Sequence, residues 1–126
     1  MNRIQFPLAA AAALLVGGAA LAQTTPVIVK ATLGRSFNPK EVTIPVGGTV
    51  EWKNTAFFSH TVTFDPAKAE DPSHVQLPKG VAPFDSGKLG GGKTWRHTFT
   101  VPGRYQYVCL PHEEHGMIGV VNVVAR

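Results

Sequence analysis

The chain has 126 residues, with 12 basic and 8 acidic side chains and a net charge of +4. This length fits one domain with a modest core, and the scattered lysines exclude a basic stripe of the kind that binds nucleic acid. The mild positive charge slightly favours a partner with an acidic surface, and the single cysteine excludes an internal disulfide.

The first segment has the pattern of a cleaved export signal. Arg3 precedes an uncharged apolar run over residues 8–22, which ends in the small-x-small sequence Ala-Leu-Ala. A membrane anchor is the alternative, but this run of 15 residues is shorter than the about 20 that cross a bilayer as a helix. We therefore expect residues 1–22 to be removed on export and residues 23–126 to form one mature domain.

Short apolar or alternating runs, separated by turn residues, follow from Pro26 onward. Alternation with a period of two is the pattern of β-strands, and this part of the sequence has no sustained helical period. The runs are VIVKATL, EVTI, TVEWKNT, HTVTF, TWRHTFTV, RYQYVC and MIGVVNVV. Seven runs with such breaks predict an all-β fold, an antiparallel sandwich or barrel.

Two histidines, His97 and His74, are not expected to bind a metal. His97 shares a strand face with Trp95 and Phe99, so we interpret it as a structural residue. His74 lies in the irregular stretch 66–92, where four prolines and five glycines predict a long surface connection. Its neighbours offer no metal-ligand spacing, so a solvated loop histidine is expected.

The segment from Cys109 to Met117 carries a thiolate, two imidazoles and a thioether between two strand-like runs. Thiolate and thioether together favour copper, and two histidines with one cysteine and a weak axial methionine are the pattern of electron-transfer copper. The loop can therefore supply three of four ligands. Both His112 and His115 are candidates for its imidazole.

The fourth ligand must come from elsewhere in the chain, and His60 is the best candidate. Residues 54–59 form a break between two predicted strands, and His60 begins the second of them. In a sandwich, the loop before His60 and the loop after Cys109 can lie at the same end. Ligation would also explain a lone thiol in an oxidising compartment, where a free cysteine is a liability.

These motifs resemble those of the small cupredoxins, the blue copper proteins of the plastocyanin, amicyanin and pseudoazurin group. The resemblance extends over residues 27–124 and is carried by FNPKEVTIPVGGTVEWKN, SHTVTF, FDSGKL and TFTVPGRYQYVCLPHEEHGMIGVVNV. The spacing of Cys, His and Met matches the plastocyanin and pseudoazurin loop, whereas amicyanin-like loops are shorter by two residues. The resemblance implies a Greek-key antiparallel β-sandwich of about seven to eight strands.

The same resemblance implies a ligand set for one type 1 copper ion. His60, Cys109 and His112 would bind the metal in a plane, and Met117 would be the weak axial ligand. Choosing His115 instead would leave one residue before the methionine, a spacing that the family does not use. His115 is therefore expected to lie outside the ligand set.

Two departures from the family stand beside these ligands. Thr61 occupies a position that is often asparagine in the family, where the side chain ties the two ligand loops together, so the presence of that bond is left open. Glu113 and Glu114 place negative charge beside a ligand edge that is surrounded by apolar residues in plastocyanins.

The function implied by the resemblance is transfer of single electrons between a redox donor and a redox acceptor. The electron would pass through the edge of His112, and the partner would dock on an apolar patch formed by Leu110, Pro111, Phe57 and Phe58. Such patches support brief redox encounters. We expect a monomer that is not an enzyme, binds no nucleic acid and is not stably inserted in a membrane. The periplasm is the favoured compartment, with a thylakoid lumen or another extracytoplasmic space as the alternative.

Other functions fit the sequence less well. A copper-delivery protein is the main alternative, but such proteins usually display exposed Met or His clusters, and this chain has two methionines, one of them the initiator. A copper oxidase or nitrite reductase needs additional His-x-His or His-Cys-His ligand sets, which the sequence lacks. A metal-free binding module is disfavoured because all four ligand positions are filled, and zinc in the site would reflect the supply of metal.

Overall fold

Two β-sheets enclose a shared hydrophobic core in residues 25–126, the part of the chain that this computed structural model describes. The predicted export signal, residues 1–22, lies outside the described residues. The strands are β1 (Val27–Ala31), β2 (Phe37–Asn38), β3 (Glu41–Pro45), β4 (Thr49–Asn54), β5 (Thr63–Phe64), β6 (Phe84–Asp85), β7 (Thr94–Thr98), β8 (Gly103–Val108) and β9 (Ile118–Val124). Two short 3₁₀ helices span Pro72–His74 and Leu110–His115. None of the helices in this part of the chain has the length and apolar character needed to cross a membrane.

The strand order is β2-β1-β4-β7 in one sheet and β3-β9-β8-β5-β6 in the other. The predicted all-β sandwich is thereby confirmed, with two differences in detail. Both sheets are mixed and not purely antiparallel, because β1 pairs with β4 and β3 pairs with β9 in parallel. Residues 25–126 contain nine strands, since β2 and β6 are two-residue strands that are too short to show an alternating pattern.

Strand β4 shows how the alternation in the sequence builds the sheets. Val50, Trp52 and Asn54 are buried, whereas Lys53 is exposed and Glu51 is half-buried. The two-residue period of a strand puts the first three side chains on one face. Burial of that face against the second sheet is the hydrophobic contribution that holds the sandwich together.

Trp52 and Tyr107 join the two sheets at the centre of the core. Both are fully buried, and Nε1 of Trp52 donates a hydrogen bond of 2.9 Å to the Tyr107 hydroxyl. Burial raises the pKa of Tyr107, so the phenol stays protonated at neutral pH. Gly119 lies opposite Tyr107 on β9, where a β-carbon would clash with the tyrosine ring. The bond satisfies the polar tips of both aromatic side chains inside the core.

His97 belongs to a stack of aromatic rings, which confirms its structural interpretation. Its ring stacks on Phe84 with a centroid distance of 3.9 Å and meets Phe99 edge-on at 4.7 Å. Burial lowers the pKa of His97. The imidazole therefore acts as a flat, neutral ring between the two aromatic neighbours.

Replacing Tyr107 by Phe tests the bond at the centre of the core. The indole N–H of Trp52 would lose its acceptor at a fully buried position, so we expect the free energy of unfolding to fall by about 1–3 kcal/mol. Urea denaturation of the metal-free protein measures this loss. Tyr105→Phe is the matched control. The Tyr105 hydroxyl donates a bond of 2.7 Å to the carbonyl of Val101, a residue that is 39% exposed, so water can replace the lost partner. Equal losses in the two variants would contradict the prediction.

Candidate metal centre

The connection between β8 and β9 forms the frame of the site. Val108 at the end of β8 pairs with Ile118 at the start of β9, so the two ends of the loop are neighbours. The amide of Cys109 donates a hydrogen bond of 3.1 Å to the Met117 carbonyl and closes the loop beyond that pair. Gly116, with φ of 77°, takes the left-handed conformation that ends the helix Leu110–His115. The loop is therefore anchored at both ends by the sheet.

Three of the predicted ligands converge at this loop. Nδ1 of His60 and Nδ1 of His112 each lie 3.4 Å from Sγ of Cys109. The ligand atoms of all three residues lie within 4.8 Å of one another. His60 and Cys109 are fully buried, whereas His112 is partly exposed. The structure thus brings together residues that are 49 positions apart in the chain.

The position of His60 follows from the pairing of strands. β5 lies beside β8, with Thr63 opposite Val108, so the residues just before β5 lie next to the residue just after β8. The backbone of His60 is also paired with Leu89 by hydrogen bonds of 3.0 and 2.8 Å. These pairings place His60 beside Cys109, as expected for the fourth ligand.

The hydrogen bond on the far side of the His60 ring assigns its tautomer. Nε2 of His60 lies 3.0 Å from the carbonyl oxygen of Thr32, which can only accept, so Nε2 carries the proton. Burial lowers the pKa of His60 and keeps the ring neutral. The lone pair of a neutral ring is then on Nδ1, the atom directed at Cys109. A backbone carbonyl in this role is a common way to orient a metal-ligating histidine.

The thiol of Cys109 is kept in its protonated form by its surroundings when no metal is bound. Burial raises the pKa of Cys109, although the backbone amide of Thr61, 3.4 Å from Sγ, opposes this effect. Metal ligation requires the thiolate, so binding must release this proton. A buried thiol of raised pKa is also a poor nucleophile, which protects the only cysteine of the chain from oxidation.

Met117 completes the donor set from the end of the same loop. Its side chain is buried, and its amide donates a hydrogen bond of 3.3 Å to the His112 carbonyl. The four side chains offer two imidazole nitrogens, a thiolate and a thioether. This soft, mixed set fits copper, and it fails to match the all-oxygen sets of magnesium or calcium.

His115 lies outside the cluster. Its ring centroid is 6.2 Å from that of His112, and the residue is exposed to solvent. The structure thus separates the two candidate histidines of the loop, and His112 is the one next to Cys109.

Thr61 does tie the two ligand loops together, which settles the point that the sequence left open. Its hydroxyl oxygen accepts a hydrogen bond of 2.8 Å from the amide of Leu110. A threonine hydroxyl therefore replaces the asparagine side chain that the family often has at this position. The sequence did not reveal this bond, because its formation depends on a short side chain lying directly beside the Cys109–Leu110 peptide.

Glu113 is 3% exposed, and its carboxylate is bonded to the connection after β5. Its carboxylate accepts hydrogen bonds from the amides of Glu70 and Asp71, at 2.8 and 2.9 Å, and from Nδ1 of His74 at 2.8 Å. Burial raises the pKa of Glu113, but these bonds outweigh burial and bring the pKa below its ordinary value. The negative charge of Glu113 is therefore buried, where it accepts three hydrogen bonds from the connection after β5.

His74 is bonded to this carboxylate, so the expectation of a merely solvated loop histidine is wrong. About a third of its side chain is exposed, and the rest packs under the ligand loop beside Glu113. The bond joins the irregular connection after β5 to the helix Leu110–His115. The sequence did not indicate this bond, because the two residues are 39 positions apart and His74 lies in no motif.

One residue of the predicted docking patch, Phe58, contacts His112 directly. Phe58 packs edge-on against His60 and His112, with centroid distances of 5.2 and 5.1 Å. Phe57 is 85% exposed and packs against Phe58. Leu110 and Pro111 precede His112 in the loop, the first half-buried and the second exposed. Phe58 is therefore in contact with His112, Phe57 is in contact with Phe58, and Leu110 and Pro111 adjoin His112 in the chain.

Arg35 adds a positive charge to this end of the molecule. Its guanidinium lies 5.3 Å from the ring centroid of Phe58, within the range of a cation–π contact. Burial is the main cause of the lowered pKa values of His60 and His112, and this guanidinium lowers both further. Sequence analysis did not single out Arg35, because it lies in a turn far from the ligand motifs.

Comparison with known proteins assigns the family. The family model of copper binding proteins, plastocyanin/azurin family, matches residues 27–124. The chain belongs to this family. The chloroplastic plastocyanin of Hordeum vulgare is 38% identical over 117 residues, which cover 90% of this chain and 70% of that protein.

Solved structures show the same fold. A reduced Cu(I) form of an amicyanin mutant superposes with a TM-score of 0.63 at 27% identity, covering 84% of this chain and 89% of that one. A copper-containing nitrite reductase from Thermus scotoductus SA-01 superposes with a TM-score of 0.63 at 35% identity, covering 81% of this chain and 23% of that chain. The fold is that of the cupredoxins. The family and the cluster of His60, Cys109, His112 and Met117 together assign copper as the cofactor.

Replacing Glu113 by Gln tests whether the buried carboxylate holds the ligand loop. A glutamine side chain has one acceptor oxygen in place of two, and its NH₂ group would face a donor, so we expect a loss of about 2–3 kcal/mol in the free energy of unfolding. Urea denaturation of the metal-free protein measures the effect. Glu114→Gln, at an exposed neighbouring position, should change stability by no more than about 0.5 kcal/mol. A loss at Glu113 no larger than at Glu114 would refute the role of the carboxylate.

Proposed function

We propose that this protein carries single electrons between redox proteins outside the cytoplasm, with His60, Cys109, His112 and Met117 as the ligands of one type 1 copper ion. The observation that carries the proposal is the convergence of three donor atoms within 4.8 Å, held by the protein itself. Bound copper would supply the redox chemistry, since it has two stable oxidation states one electron apart. The remaining requirements are met by the polypeptide.

The first requirement is that the ligands keep their positions when the oxidation state of the copper changes. The His60 ring is fixed by the Thr32 carbonyl, and the ligand loop is closed between β8 and β9. The bonds of Glu113 hold the helix Leu110–His115, which contains His112. Ligands fixed by such supporting bonds need little rearrangement, which favours rapid electron transfer.

The second requirement is that solvent is excluded while one ligand stays accessible. His60, Cys109 and Met117 are at most 1% exposed, whereas His112 is partly exposed. The edge of His112 is therefore the route for electrons, and the surrounding patch of Phe57, Phe58, Leu110 and Pro111 is the docking surface. An apolar surface of this kind suits a short-lived complex with a redox donor or acceptor.

The closed site also favours an electron carrier over a protein that delivers copper. Delivery requires that an incoming partner reach the metal ligands, but the thiol of Cys109 is fully buried and His60 lies behind Phe58. The likeness to a nitrite reductase extends over 23% of that chain, so it concerns one part of a larger protein. An electron carrier that is not itself an enzyme is the function we propose.

The proposed location rests on the export signal predicted for residues 1–22 and on the favoured periplasmic compartment. The Hordeum vulgare relative is described as chloroplastic, so an organelle lumen is the alternative. Neither location changes the chemistry of the site.

The visible spectrum tests the proposed ligand set. Residues 23–126 loaded with copper(II) should show an intense visible band toward the red, arising from the Cys109 thiolate, and should bleach on reduction. Cys109→Ser should abolish the colour because the hydroxyl is a poor donor to this ion. His115→Gln is the control and should leave the band unchanged. A colourless copper(II) complex of the unaltered protein would overturn the type 1 assignment.

Replacing Leu110 by Glu tests the docking patch, with the protein serving as its own redox partner. Electron self-exchange between oxidised and reduced molecules requires two patches to meet, and facing glutamates would repel. We expect self-exchange, measured by NMR line broadening, to slow by about tenfold or more, while the visible band is retained; a tenfold change corresponds to about 1.4 kcal/mol.

The matched control for this variant is Val124→Glu. Val124 is also exposed and apolar, but it ends β9 at the side of the sheet opposite the ligand loop. The control introduces the same charge and should reduce the self-exchange rate much less. Equal rates for the two variants would show that the charge, and not its position on the patch, is responsible, and would contradict docking over His112.

A further inference from the structure

A chain of side-chain hydrogen bonds runs from the ligand loop through the interior of one sheet to its edge. The amide of Leu110 donates to the hydroxyl of Thr61 at 2.8 Å, and this hydroxyl lies 2.9 Å from that of Thr63. The Thr63 hydroxyl donates to the carboxylate of Asp85 at 2.7 Å. The other oxygen of Asp85 accepts a bond of 3.0 Å from the ammonium group of Lys68.

The direction of every bond in this chain is determined. A hydroxyl has one proton to donate, and that of Thr63 goes to Asp85, because an ionised carboxylate can only accept. Thr63 must therefore accept from Thr61. The Thr61 hydroxyl, having donated its proton, has its lone pairs free to accept from Leu110. All the donors thus point from the ligand loop toward the carboxylate.

Burial and alignment make the chain stronger than its separate bonds. Thr63 is fully buried and Thr61 is 8% exposed, so water competes little for these hydroxyls. In such surroundings aligned hydrogen bonds polarise one another, and a charged acceptor at the end strengthens each preceding acceptor. The charge of Asp85 therefore makes the oxygen of Thr61 a better acceptor for the amide of Leu110.

Thr61 is also the residue that contacts the thiol directly. Its backbone amide lies 3.4 Å from Sγ of Cys109, while its side chain holds the peptide that follows Cys109. Hydrogen bonds to the sulfur of a copper ligand are among the factors that set its reduction potential. A change in the position of Thr61 would thus reach the sulfur.

We propose that Thr63 and Asp85 are positioning residues of the copper site, which act through Thr61 to hold the Cys109–Leu110 peptide and the hydrogen bond to the thiol sulfur. This inference rests on the proposed ligand set for its effect on copper, but the hydrogen-bond chain itself is a property of the metal-free protein. Neither residue touches a ligand. Asp85 lies on β6, at the edge of the sheet, and Lys68 contacts the oxygen that does not accept from Thr63.

Replacing Thr63 by Val is the central experiment, because it removes the middle hydroxyl without altering charge or, to a close approximation, volume. In the metal-free protein we expect hydrogen exchange of the Leu110 amide to accelerate, because the Thr61 hydroxyl that accepts from it loses its own partner; the upper limit is about fivefold, the factor for complete loss of one hydrogen bond of ordinary net strength. In the copper-loaded protein we expect a lower reduction potential, since a weaker N–H contact to sulfur makes the thiolate a stronger donor to the oxidised ion. Thr63→Ser retains the hydroxyl and should restore both values.

Two charge variants separate the hydrogen-bond chain from direct electrostatics. Asp85→Asn weakens the final acceptor, so we expect it to shift exchange and potential in the same direction as Thr63→Val. Removal of a negative charge acting only through space would instead raise the potential, because it favours the reduced ion. Lys68→Met leaves the bond between Thr63 and Asp85 in place and should have little effect on exchange. If Thr63→Val does not fold, Asp85→Asn and Lys68→Met provide the same test.

The proposal is overturned if Thr63→Val leaves both the exchange of Leu110 and the potential unchanged. It is also overturned if Asp85→Asn raises the potential, since that result assigns Asp85 a purely electrostatic effect. A copper complex without the blue band would disprove the proposed function instead, and the exchange measurement on the metal-free protein would still decide the role of Thr63.

Discussion

The pairing of β5 with β8 is the contact on which the rest of the site depends. It is short, with Thr63 opposite Val108, but it places the residues before β5 against the residue that follows β8. Nδ1 of His60 and the amide of Thr61 thereby reach the sulfur of Cys109, both at 3.4 Å. A one-residue slip of this register would turn the neighbouring side chains to the opposite face of the sheet and disperse the donors.

The ligand loop is held from three directions by bonds of different kinds. The sheet closes its two ends, the hydroxyl of Thr61 holds its beginning, and the carboxylate of Glu113 attaches its middle to the connection that contains His74. A buried carboxylate with three hydrogen bonds is strongly favoured over an unpaired one, so this arrangement resists distortion. The short helix Leu110–His115 and the ligand side chains of the loop are consequently held in place from several sides.

One histidine of the site is buried and the other is partly exposed, so the site is accessible from one side. His60, fixed by the carbonyl of Thr32, faces the interior, whereas His112 lies at the surface beside Phe58. The guanidinium of Arg35 covers the Phe58 ring, so the apolar patch is bordered by a positive charge. A partner that docks as proposed would meet an apolar surface with a cation at its edge, in keeping with the mild positive charge of the whole chain.

The sequence by itself determined the all-β class and the kinds of donor that the ligand loop supplies. Period-two alternation marks strands wherever one face is buried, and Cys109, His112 and Met117 are close in the chain, so their spacing is local information. The tertiary structure decided which strands lie side by side and therefore how His60 joins the cluster. It also decided that Thr61 bonds to Leu110 and that His74 bonds to Glu113. These contacts join segments 39 and 49 positions apart, and no local pattern encodes them because they form only once the sheets have packed.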